Sequence, residues 1–190
     1  MEQVRACMRF WFTVSLLIFL AACASPPAIQ GLNDQAFSRT GRFAVTVTQP
    51  GEAPQAVQGG FAWRDSGQVQ RLDLANPMGS ILARVEIRPT EAVLTRSDGS
   101  QQVAPDADAL LLQVVGASMP VQGLRRWLQG QIDADARDIT RTKDGKPAAF
   151  VSKGWSVRLS RYDSLGPRIL LLERNEGAQG VRVRLVVDGA

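Results

Sequence analysis

Residues 42–49 read RFAVTVTQ, and this stretch decides the fold. Phe43, Val45 and Val47 fall on one face of an extended chain, with Thr46 and Thr48 on the other. A helix would bring Phe43 and Val47 together but throw Val45 to the far side, so the period is that of a half-buried strand. The same alternation continues downstream. AVQGGFAW (56–63) sets Val57, Phe61 and Trp63 on one face, and RLDLAN (71–76) pairs Leu72 with Leu74. SILARVEIR (80–88) sets Ile81, Ala83, Val85 and Ile87 against Arg84, Glu86 and Arg88. Late in the chain Trp155, Val157 and Leu159 alternate with Ser156, Arg158 and Ser160. A mostly apolar run follows at 168–173, and Val181, Val183, Leu185 and Val187 then alternate with Arg182 and Arg184. Turn signals at Pro50-Gly51, Ser66-Gly67, Asn76-Pro77 and Asp98-Gly99 separate the strands.

The middle of the chain breaks this period. In DADALLLQVVG (106–116), Ala107, Leu110, Leu111, Val114 and Val115 recur at helical spacing, with Asp106 as N-cap and Gly116 as stop. PVQGLRRWLQG (120–130) places Leu124, Trp127 and Leu128 on one helical stripe that ends at Gly130. Two short amphipathic helices need an apolar surface to lie on. The expected layout is therefore about five strands, a helical insert at about 106–130, then about five strands, in one domain spanning 41–190. About ten antiparallel strands in a domain of this size point to a strongly curved sheet or half-open barrel, mainly β, with the insert across one opening. Periodicity alone leaves open whether the inside is filled or encloses a cavity.

The first 22 residues read as a signal peptide. Arg5 and Arg9 precede an apolar run from Phe10 to Leu20, which falls short of the roughly 20 residues that a membrane-spanning helix needs. Leu20-Ala21-Ala22-Cys23 resembles the bacterial lipobox, in which the Cys becomes the acylated N-terminus. Cys7 then leaves with the signal, and residues 23–40 form the acylated Cys and its tether. In bacterial lipoproteins an Asp after the Cys favours inner-membrane retention. Ala24 stands there, which places the chain at the outer membrane, on its periplasmic face. Two or more acyl chains anchor stably where one is marginal.

Composition narrows the function. The 190 residues include no histidine, so the usual Ser-His-Asp and Cys-His arrangements and the commonest metal ligand are missing. The net charge of +4 is scattered, with no basic run interleaved with aromatics, which argues against a nucleic-acid partner. No phosphate-binding glycine loop, metal cluster or cofactor motif is present, and no enzyme is expected. Asp106 and Asp108 fit the first turn of a helix better than a catalytic carboxylate pair. Asp133, Asp135 and Asp138 read as a solvated loop. Trp63, Trp127 and Trp155 read first as core residues.

The loop ANPMGS (75–80) has the grammar of a tight turn, with Asn76, Pro77 and Gly79 in turn positions. Met78, a long apolar side chain, stands at its tip. The lipobox, Gly41-Arg42-Phe43, Gly60-Phe61-Ala62-Trp63, Arg71-Leu72-Asp73-Leu74, Asn76-Pro77-Met78-Gly79-Ser80, Leu124 to Gly130 and Gly154-Trp155 occur in that order. Together this set resembles the outer-membrane lipoprotein receptor family LolB over nearly the whole chain. The resemblance implies a half-closed antiparallel barrel with a helical lid over an apolar cavity. The cavity takes acyl chains of lipoprotein cargo from a soluble periplasmic carrier, LolA-like, and the receptor passes them to outer-membrane lipid. It also implies that Pro77, Met78 and Gly79 form a membrane-insertion loop, with Met78 where the family usually has Leu. The lining residues expected are Leu72, Leu74, Val85, Leu111 and Trp127, and a monomer is expected. The competing expectation is a structural lipoprotein partner in envelope assembly, without a ligand cavity.

Overall fold

The strand that carries Phe43 lies at the middle of the sheet. The computed structural model describes residues 37–115 and 119–189. The signal peptide, Cys23, tether residues 24–36 and the Gly116 helix stop fall outside these, whereas the last four residues assigned to the tether belong to β1. In chain order the elements are β1 (Phe37–Thr48), β2 (Gln55–Asp65), β3 (Gln70–Ala75), β4 (Ile81–Ile87), β5 (Ala92–Arg96), β6 (Gln101–Ala104), α1 (Ala107–Val115), α2 (Val121–Trp127), β7 (Arg137–Arg141), β8 (Pro147–Ser152), β9 (Trp155–Tyr162), β10 (Pro167–Glu176) and β11 (Gln179–Val187). All strands join one antiparallel sheet in the order β6-β5-β4-β3-β2-β1-β11-β10-β9-β8-β7. Each half is a meander, and the halves join where the first and last strands pair, Phe43 opposite Leu185 and Val45 opposite Val183.

The sheet is open, with β6 and β7 as its edges. The chain crosses from one edge to the other through the helical insert. Among the described residues no helix is long and apolar enough to cross a membrane. There are eleven strands, where the sequence pattern points to about ten. The strand least visible in the sequence, β7, is polar. Every residue of β7 is exposed, its register with β8 shifts twice, and Asp138 has a positive φ of 53°. A short, broken, charged edge strand resists pairing with another chain, and it carries no apolar alternation to betray it.

The inner face of the sheet is built in rows of cross-strand pairs. One runs Trp63–Leu72–Val85–Leu94, another Phe43–Leu185–Leu170–Leu159, and a third Val45–Val183–Leu172–Val157–Phe150. Most of these side chains are buried. The outer face carries ion pairs: Asp73 lies between Arg64 and Arg84, Glu86 between Arg71 and Arg88, and Glu173 between Arg158 and Arg182. One face is therefore dry and the other solvated, as alternation requires of a sheet covered on one side.

Two glycines let the centre of the sheet close up. A Cβ on Gly41 would overlap the carbonyl oxygen of Val186, and one on Gly59 would overlap that of Ala75. β1 starts at Phe37, ahead of the alternation that becomes legible at Gly41. The reason is Arg39, which sits on the inner face with a side chain only 2% exposed and so interrupts the apolar pattern. Its guanidinium donates to Asp163 at 2.8 Å and to the Pro167 carbonyl at 3.0 Å. That bond holds the Asp163 carboxyl at about 2, below its ordinary value of 3.8.

Candidate apolar cavity and exposed loop

The helical insert lies over the inner face. Asp106 caps α1, accepting the Ala109 amide at 2.8 Å. Pro120 gives α2 no side-chain cap, and Asp108 of α1 serves instead, accepting the Gln122 amide at 3.0 Å. Burial pushes the Asp108 carboxyl up. Both carboxylates are thus engaged at helix starts. α1 packs on β5, β6 and α2. α2 is fixed at several points. Arg125 makes a two-pronged ion pair with buried Asp65 at the end of β2. The Trp127 indole donates to Asp133 at 2.9 Å, and Ser152 donates to the same oxygen at 2.8 Å. Asp133 also faces Arg126 at 3.4 Å. Its side chain is only 12% exposed, so this residue is an anchor for α2 and not part of a solvated loop.

Beneath the insert is a cavity of about 70 Å³. The sheet contributes Phe43 and Val45, Phe61 and Trp63, Leu72 and Leu74, Leu172, and Val183 and Leu185. The cover contributes Leu111 of α1, then Met119, Pro120, Val121, Leu124 and Leu128. No lining residue is charged. Of the lining residues expected from sequence, Leu72, Leu74 and Leu111 meet here. Val85 and Trp127 do not reach the wall. Val85 is wholly buried between Leu72 and Leu94 in its cross-strand row, and Trp127 packs edge-on against Phe150, 5.8 Å between ring centres. Alternation gives the face a residue occupies, but the position of the helices over that face decides which residues border the space. Phe61 and Trp63 were legible as inner-face residues, whereas the share of the cover from Met119 and Pro120 has no periodic signal.

The loop between β3 and β4 projects from the sheet. Asn76 organises it: its side-chain oxygen accepts the Met78 amide at 2.9 Å and the Ser80 amide at 3.0 Å, and its carbonyl accepts the Gly79 amide at 2.9 Å. Gly79 has φ 88°, a conformation that other residues rarely adopt. Met78 is 89% exposed at the tip. Ile81 and Leu82 beside it are also exposed, because the β3–β4 register shifts after Leu74 and ends the inward alternation before Ile81. An open groove at the base of this loop is bordered by Arg42, Phe43, Gly59, Gly60 and the turn itself. Phe43 belongs to both the groove and the cavity.

An open antiparallel sheet curled about an apolar space with a two-helix cover defines the class: a half-open β-barrel. The sequence model of the family described as "Outer membrane lipoprotein LolB" matches residues 35–189. The outer-membrane lipoprotein LolB of Bordetella petrii is 48% identical over 184 residues, covering 95% of this chain and 92% of that protein. Its counterpart in Bordetella pertussis is 49% identical over 180 residues, covering 93% and 90%, and that of Cupriavidus necator is 36% identical over 186 residues, covering 93% of each. A solved structure of a LolA superfamily protein from Nitrosomonas europaea aligns with a TM-score of 0.43 at 12% identity, covering 80% of this chain and 86% of that one. The chain belongs to the LolB family of outer-membrane lipoproteins.

Proposed function

We propose that this protein is a receptor that takes acylated lipoproteins from a soluble, LolA-like periplasmic carrier and passes them into the outer membrane. The carrying observation is the cavity, whose wall is apolar throughout and whose cover is a separate helical insert. Burying one methylene is worth roughly 0.8 kcal/mol, so an acyl chain is worth on the order of 10 kcal/mol and cannot cross water unshielded. Cys23, acylated, anchors the receptor to the periplasmic face of the outer membrane. Handover runs by differential affinity and no covalent step is involved. The groove that shares Phe43 with the cavity supports a route from the acyl site toward the Met78 loop.

The test is saturable binding of a fluorescent fatty acid to the full chain carrying Cys23→Ala, with competition by a triacylated lipopeptide. Displacement is expected. An intact fold with no saturable binding would favour the structural lipoprotein without a ligand cavity. For the anchor, mass spectrometry of the purified wild-type chain should show a start at Cys23 with added acyl mass, and an unmodified start elsewhere refutes the anchoring.

A further inference from the structure

The groove beneath the Met78 loop follows from the register of the sheet. β2 pairs with β1 as far as Gln55 opposite Val47, but with β3 only as far as Gly60 opposite Ala75. There β3 leaves the sheet and turns into the loop. A space of about 440 Å³ opens between β2 on one side and Asn76, Pro77 and Gly79 on the other. Sites for small ligands run from roughly 300 to 1,000 Å³. The floor is low because Arg42 stands in a cross-strand row with Gly60 and Ala75, two residues with almost no side chain.

The groove is bordered by donors that the protein does not use. On the outer face Arg64, Arg71, Arg84, Arg88, Arg158 and Arg182 each face a carboxylate. Arg42 is exposed and has neither an ion pair nor a hydrogen bond among the described residues. The Asn76 side-chain oxygen is held by the Met78 and Ser80 amides, which turns the NH₂ group away from the loop backbone. No carboxylate borders the space. A guanidinium and an amide NH₂ on one open groove, with no acid to neutralise them, match a phosphate, which accepts several hydrogen bonds at once. The loop decides where that phosphate comes from. Met78, Ile81 and Leu82 expose apolar surface directly beside the groove. Bilayer phosphates lie just outside the hydrocarbon core, so a tip that enters the acyl region brings its own base to their level. We infer that the groove binds the phosphodiester of a membrane phospholipid, with Arg42 and Asn76 as donors, and so fixes the depth at which the Met78 loop enters the bilayer. This rests on the membrane-insertion reading of the loop and deepens it.

The experiment titrates dihexanoylphosphatidylcholine, a soluble short-chain phospholipid, into the nitrogen-labelled full chain carrying Cys23→Ala. The Arg42 Nε–H and Asn76 NH₂ resonances should shift together and saturate. Arg42→Gln, followed through Asn76, should bind about tenfold more weakly, the low end for a hydrogen bond between charged groups. Arg42→Lys should fall between, since an ammonium lacks the fork. Arg184→Gln is the control: Arg184 is exposed on the same face, opposite Ala44, outside the groove and without a described partner. It should bind as wild type does. Inorganic phosphate at the same concentrations should leave both resonances in place, because it brings no chains for the apolar tip. Unmoved resonances with the phospholipid, or equal weakening by Arg184→Gln and Arg42→Gln, overturn the headgroup site and leave the loop reading to its own test in Met78→Glu. Saturable shifts with inorganic phosphate alone overturn the lipid as the source. Failure of the Met78 loop to enter membranes would show instead as delivery by Met78→Glu at the wild-type rate.

Discussion

Met78 gives its own domain nothing that a polar residue would not give, since 89% of it faces solvent. Single exposed apolar residues are common and usually mean nothing. Three features weigh against that here. Asn76 holds the turn with three hydrogen bonds, Ile81 and Leu82 extend the apolar surface, and the groove beneath shares Phe43 with the cavity. A Met side chain entering the acyl region of a bilayer is worth roughly 1.5–3 kcal/mol, enough to bias an encounter without trapping the receptor. Met78→Glu should therefore accept cargo from the carrier and fail to deliver it to vesicles, with an unchanged melting temperature, whereas Met78→Leu should deliver normally. Delivery by Met78→Glu at the wild-type rate would reduce the tip to ordinary turn surface. The turn itself was legible in ANPMGS, because Asn, Pro and Gly each carry a conformational reason for their places. The exposure of Ile81 was not legible, because it follows from a register shift that alternation hides.

At the scale of elements, legibility followed apolar periodicity. β1, β2, β4, β9 and β11 all alternate, and both helices were placed by their stripes and by Asp106. β7 escaped because RDITR has no buried residue, and the first turns of β1 escaped because Arg39 is a charge on the inner face. Asp133 was read as solvated because no sequence rule links it to Trp127 and Ser152, which come to it from α2 and β8. The glycines are the reverse case: they are plain in the sequence, but their purpose is clear only from the backbone they admit. Gly41 faces the Val186 carbonyl where the two halves of the sheet meet. Because that neighbour is backbone, it cannot rotate away as a side chain would. Gly41→Ala should cost about 1–3 kcal/mol, as overpacking of a close-packed site does, and lower the denaturation midpoint. Gly60→Ala serves as a contrast. At Gly60 a Cβ would meet nothing nearer than 3.7 Å and the φ is one that other residues adopt, so its loss should stay below about 1 kcal/mol. Equal losses for the two would mean that close approach at the junction is not what fixes Gly41.

For the molecule as a whole, the difficulty is room. The cavity of about 70 Å³ is small beside the length of an acyl chain. On the acyl-binding reading proposed above, a whole chain is taken up when part of the wall moves. The sheet wall is tied by ladders on both sides of β1, whereas the insert is held by side-chain bonds, so the insert is the part we expect to move. α2 is held at its far end by the Trp127–Asp133–Ser152 bonds and near its middle by the Arg125–Asp65 ion pair. The first group ties α2 to β8 and reads as a hinge. The second ties it to β2, beside Trp63, and reads as the latch. Releasing the latch leaves Asp65 buried and short of its cation, which favours an open, solvated arrangement. Arg125→Met keeps the apolar stem and removes the ion pair. In wild type the rate of fluorescent fatty acid uptake should level off with probe concentration, because opening precedes binding and sets the limit. Arg125→Met should raise that plateau several-fold and lower the melting temperature, because it strands a buried carboxylate. Arg125→Lys should fall between the two, since one ammonium cannot reproduce the forked contact. A plateau unmoved by Arg125→Met but raised by Phe43→Leu would place the moving part at the groove below the Met78 loop, with the helical insert fixed throughout.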